Sequence, residues 1–135
     1  MNREYSIKDA TRETRILYKY ATDKTLPAES IRNDIKMLFK EAQREATNFA
    51  SSAQEYNNHT VHYLSSKLSK YATTRIVVPF TESIENSRLE ADNQDEKVLL
   101  EREMLLANMA ERAFQNIGWE SLAKELVKYY EKHNQ

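Results

Sequence analysis

The chain contains no cysteine. That excludes disulfide bridges, thiolate metal ligation and a cysteine nucleophile. One glycine, Gly118, and two prolines, Pro27 and Pro79, are the only strong chain-breakers in 135 residues. So few breakers argue against a sheet-rich fold with many tight turns, and against glycine-rich phosphate loops. No apolar run reaches the length of a membrane span, and the opening MNREYSIKDATRE lacks the apolar core of a secretory signal. A cytoplasmic chain without a membrane partner is therefore expected. The formal net charge is only −1, so bulk electrostatics select no partner. The sequence also lacks a Gly-x-Ser-x-Gly elbow, a Walker loop, a His-Glu-x-x-His pair and a dinucleotide fingerprint. Nothing singles out an acid/base pair, so a non-enzymatic protein with no cofactor is expected.

What the chain does have is helix chemistry. Ala, Leu, Glu, Lys, Gln and Arg recur throughout, and 30% of residues are charged. The length suits one domain. The reading is an all-α antiparallel helical bundle with one long central helix and a short C-terminal helix folded back at Gly118. A first helix opens at Ser6, with Asp9 completing an approximate capping box. Pro27 suits the first turn of the next helix. Ile31, Ile35, Leu38, Ala42, Ala46, Phe49, Ala53, Tyr56, Thr60, Leu64, Leu68 and Tyr71 then follow at steps of three or four. That unbroken phase predicts one helix over 27–72, about 65–70 Å long. It passes through Asn57-Asn58, although its small, polar middle is where a bend would fall.

Ile76, Val77 and Val78, stopped by Pro79, read as an extended connector, and Thr81 or Ser83 as a cap. Residues 82–97 are polar enough to be an exposed helix or a loop. From Val98 onward Leu99, Arg102, Leu106, Met109, Ala113 and Ile117 make one row. Gly118 is expected to end that helix in the left-handed conformation. Trp119, Leu122, Ala123, Leu126, Val127 and Tyr130 give the last helix one apolar face. Glu120 supports Lys124 on the other.

Three constellations bear on function. His59 and His62, with Glu55, stand within two helical turns. Their phase puts both histidines on a flank of the stripe, and no second helix offers partner ligands. No metal is expected there. Lys8, Arg12, Arg15 and Lys19 form one basic row, and Arg32, Lys36, Lys40 and Arg44 another. Two such ridges could straddle phosphates, which makes a helical nucleic-acid-binding protein the alternative reading. Residues 1–75 carry thirteen cations against nine acids, and residues 76–135 seven against twelve. Eight tyrosines, many beside the apolar stripes, suit a half-wet interface. Phe49, Tyr56, Tyr63 and Leu64 are the candidate interface residues. The favoured reading is a protein-interaction or regulatory module, self-associating as a homodimer or joined to another protein. Leu17-Tyr18-Lys19 resembles the Leu-Tyr-Arg tripeptide of a mitochondrial assembly-factor family over three residues, with Lys for Arg; nothing is carried over from it.

The histidine reading is checked by elemental analysis of tag-free protein purified without chelator. It should contain no stoichiometric zinc or iron. A tightly held equivalent that disappears in the His59→Ala/His62→Ala variant would overturn it.

Overall fold

The computed structural model describes residues 7, 10–90 and 92–133. Among them there is no strand. The helices are α1 (Arg12–Thr22), α2 (Glu29–Phe49), α3 (Ala53–Ala72), α4 (Val78–Leu89), α5 (Gln94–Gln115) and α6 (Trp119–His133), with a π turn at Thr73–Val77. The all-α class and the helical bundle stand as expected. The chain divides into two compact units, Met1–Ser69 with Ile117–Gln135, and Lys70–Asn116.

In the first unit α1 starts later than the sequence suggests. Ala10 lies in a bend, and Thr11 is the cap, its hydroxyl accepting from the Thr14 amide at 3.3 Å. Ser6 and Asp9 lie outside the described residues. Pro27 likewise falls just before α2, whose cap is Ala28. The loop is tied down instead by Arg32, whose guanidinium donates to the carbonyls of Leu26 at 2.8 Å and Asp23 at 3.1 Å.

The expected single helix over 27–72 is two helices. Ala50 is extended, with φ −82° and ψ 135°, and α3 restarts at Ala53. The backbone is helical through Asn57-Asn58, as the phase indicated, but it breaks seven residues earlier. Two local forces favour the break. Ser52 accepts from the Glu55 amide at 3.1 Å, while the Glu55 carboxylate reaches back to the Ser51 amide (2.9 Å) and hydroxyl (2.6 Å). This is a capping box, which satisfies donors that a helix start leaves unpaired. The apolar stripe does not oppose it, because Phe49 and Ala53 are exposed and bury little that a continuous helix would protect. The resulting helix pair is antiparallel: Lys67 meets Glu45 at 2.9 Å and Glu41 at 3.8 Å.

α6 supplies the centre of this unit. Leu122, Ala123 and Leu126 are fully buried, and Val127 and Tyr130 nearly so. Ile35, Phe39, Ala42 and Ala46 of α2 and Val61, Leu64 and Leu68 of α3 complete the core. The Phe39 and Tyr130 rings stack at 4.7 Å. α6 therefore has the apolar face expected of it, and Glu120 and Lys124 pair on the other side at 3.6 Å.

Gly118 does not act as expected. It has no positive φ. A Cβ there would meet the Ser121 side chain and Thr14 Oγ1 at 3.6–3.7 Å, an ordinary contact. Gly118 stands instead at the head of α6, its carbonyl accepting from the Leu122 amide at 2.9 Å. Its own amide donates to Thr14 Oγ1 at 2.8 Å, across 104 residues of sequence. Thr14 is fully buried, and its hydroxyl also lies 2.6 Å from that of Thr11. One side chain thus joins the cap of α1 to the start of α6.

In the second unit the Ile76-Val77-Val78 segment is not an extended connector. It is helical, through a π turn in which the Val78 amide bonds the Thr73 carbonyl. The wide turn has a reason in Pro79, which lacks an N–H and crowds the carbonyl four residues back. Thr81 and Ser83 are inside α4; Thr81 donates back to the Val77 carbonyl. Residues 82–97 are mostly helical, interrupted before Asn93, which caps α5 by accepting from the Glu96 amide at 2.9 Å. α5 packs on α4; Leu100 and Ala107 of α5 and Ile84 of α4 are buried.

Thr14→Val keeps the shape but leaves the Gly118 amide without its acceptor. It should destabilise by about 1–3 kcal/mol. Thr14→Ser, which keeps the hydroxyl, should cost less, on the order of the ~0.8 kcal/mol of one buried methyl group. Urea midpoints of the two variants check this, and equal losses would refute the hydrogen-bond account.

Candidate functional site

Glu55 and the histidines do not converge. Glu55 is taken by Ser51, and those hydrogen bonds, aided by His59, hold its carboxyl below the usual range. His59 and His62 both lie against the Tyr63 ring, at 6.1 and 5.6 Å. No cluster with metal-ligand composition occurs among the described residues. No described helix is long and apolar enough to cross a membrane.

The four candidate interface residues differ in exposure. Phe49 is exposed, and Tyr56 and Tyr63 are half-buried. Leu64 has no exposed surface and belongs to the core, so it is unavailable as an interface residue. Its place in an apolar stripe fits core and interface equally well. The exposed apolar residues gather elsewhere. On α5, Leu99, Leu105, Leu106 and Met109 are each more than half exposed. The row read from the sequence as the buried side of this helix is thus largely its open side; Leu100 and Ala107, on the neighbouring flank, are buried.

The basic rows separate too. Lys8 lies outside the described residues. Arg12, Arg15 and Lys19 are exposed on α1. Arg32, Lys36 and Lys40 instead line a cleft of about 450 Å³ with Lys24 of the preceding turn and Lys132 and His133 of α6. Arg44 is exposed one turn beyond them. Among the described residues no carboxylate lines this cleft. The Asp23 carboxylate, near Arg32, accepts from the Thr25 hydroxyl at 2.6 Å and amide at 2.9 Å, and these bonds hold its pKa below the ordinary value. Sequence spacing could find the α2 ridge, but not Lys24 or Lys132, which only the packing of α6 beside α2 brings there.

Aromatic rings form the adjoining wall. Tyr129 stacks on His133 at 4.3 Å and meets Tyr18 edge-on at 6.4 Å. The His133 Nδ1–H donates to the Tyr129 carbonyl at 2.9 Å, since a carbonyl only accepts. Tyr130 also lines the cleft, and its buried hydroxyl has no hydrogen-bond partner among the described residues. Burial, with smaller contributions from Tyr129 and Tyr18, pushes its phenol well above the ordinary value. Tyr18 is raised as well, by burial, then Glu125, then Tyr129.

A second cleft, about 780 Å³, lies between α3 and α6. Its charges are mixed, with Glu120 and Glu131 beside Lys124 and Lys128, and His62 on the α3 side. It favours no ligand charge.

No protein-family model, curated protein or solved structure matches this chain.

Tyr130→Phe removes a buried hydroxyl that has no partner. Stability at neutral pH should therefore be unchanged or higher. A phenol with a raised folded pKa contributes stability that is complete below its ordinary value of 10.0 and is lost as pH rises toward the folded value. The wild type should lose stability above pH 10, and Tyr130→Phe should lose less. Denaturant titrations at neutral and alkaline pH give the comparison; identical alkaline slopes would overturn the assignment.

Proposed function

We propose that this chain is a non-enzymatic protein-interaction module that self-associates through α5. The supporting observation is the open row of Leu99, Leu105, Leu106 and Met109. Large apolar side chains exposed together on one helix face are uncommon on a monomer surface and suit an interface. A second copy is the simplest cover. Two-fold pairing sets the same patch against itself and buries every member twice. Association costs about 4–15 kcal/mol in lost freedom, so a patch of this size gives a concentration-dependent dimer rather than a permanent one. The contact lies on α5 in this reading, and not around Phe49, Tyr56 and Tyr63.

Light scattering behind size exclusion measures the mass directly. At high micromolar concentration it should approach twice the 15.9 kDa of one chain and fall on dilution. Leu106→Glu should remain helical and monomeric throughout. A wild type that stays monomeric at every concentration would refute self-association.

A further inference from the structure

We infer that the cleft between α2 and the end of α6 binds a small soluble oligophosphate, a compound with three or more linked phosphates. Five permanent cations line it: Lys24, Arg32, Lys36, Lys40 and Lys132. They come from three separate pieces of chain, and among the described residues no carboxylate shares the cleft with them. Such a concentration of like charge is repulsive when empty and is relieved by an anion of comparable charge. The contrast with the mixed cleft of α3 and α6 shows that this is not the common character of the unit's surface.

Size selects the class. About 450 Å³ lies in the range of small-molecule sites and is too small to enclose a nucleic-acid helix. A single phosphate would leave most of the cations unmatched. The site is also partly preformed. Arg32 is held by two backbone carbonyls, through one of its guanidinium nitrogens, which leaves the others for a ligand. Tyr130, whose buried hydroxyl has no partner among the described residues, is also a lining residue. Arg12, Arg15 and Lys19 of α1 take no part, which distinguishes this site from two ridges straddling a polymer.

Calorimetry on the full chain tests it, with inorganic tripolyphosphate as the probe at about 0.15 M salt, where weak long-range attraction is screened. One equivalent should bind. Lys36→Gln/Lys132→Gln should weaken binding by about tenfold or more per lysine removed, as for a lost charged hydrogen bond. Lys70→Gln/Lys97→Gln makes the same change in net charge outside the cleft and should leave the affinity unaltered. Both pairs are exposed, and their melting curves confirm that the fold is kept. Adenosine triphosphate carries the same phosphate chemistry; competition with tripolyphosphate for one site supports the inference, and the tighter of the two identifies the source. No binding, or equal weakening by both double variants, would overturn it. So would a strong preference for a long RNA that is lost on Arg12→Gln/Arg15→Gln, which would place a polymer across the helices instead.

Discussion

Leu122, Ala123 and Leu126 of α6 have no exposed surface, and the first unit depends on their burial. α1, α2 and the first part of α3 are amphipathic helices that need a common partner for their apolar sides. α6 is that partner, through Tyr129 against α1, Tyr130 against Phe39 of α2, and a cleft shared with α3. Area removed from water on this scale outweighs any single polar contact in the unit. The polar contacts set position. Thr14 gives α6 its starting point by accepting from the Gly118 amide, so a hydroxyl near the start of the chain fixes where its last helix begins.

Both clefts follow from that placement. A helix laid beside α2 with its final turn near the α1–α2 loop brings Lys132 and His133 to the row of Arg32, Lys36 and Lys40. Lys132 at the end of α6 is favourable there on its own account, because a helix C-terminus carries partial negative charge. Packing then turns a solvated row on one helix into a recess with charge on two sides. The second unit has no such closure. Its two helices bury Ile84, Leu100 and Ala107 and leave Leu99, Leu105, Leu106 and Met109 of α5 exposed. A pair of helices has too few faces to cover both sides of either one, and this shortfall is the basis for proposing an interaction through α5.

The helical class, the amphipathic face of α6 and the passage of helix through Asn57-Asn58 were legible because they rest on local chemistry: few breakers, many helix formers, and a period near 3.6. The break at Ala50 was legible in principle as well. Ser52-x-x-Glu55 is a capping signature, and Asn93-x-x-Glu96 is a similar one before α5. An apolar phase that continues across the break concealed the first of them. Phase reports which side of a helix is apolar; it does not report whether that side is buried, and at Phe49 and Ala53 it is not.

The sequence by itself determined where helices form and which residues could serve as core. Propensity, capping and periodicity act within a few residues, so they are present before the chain folds. Only the tertiary structure decided which apolar rows are buried and which cations are neighbours. Leu64 and Leu106 look alike as members of apolar rows, yet one is sealed in the core and the other is open. Gly118 likewise resembles a helix stop, but it has no positive φ, and its amide is instead bonded to the distant Thr14 hydroxyl. The physical reason is common to all three. Burial and long-range pairing depend on which helix packs beside which, and a period along one helix carries no information about its neighbour.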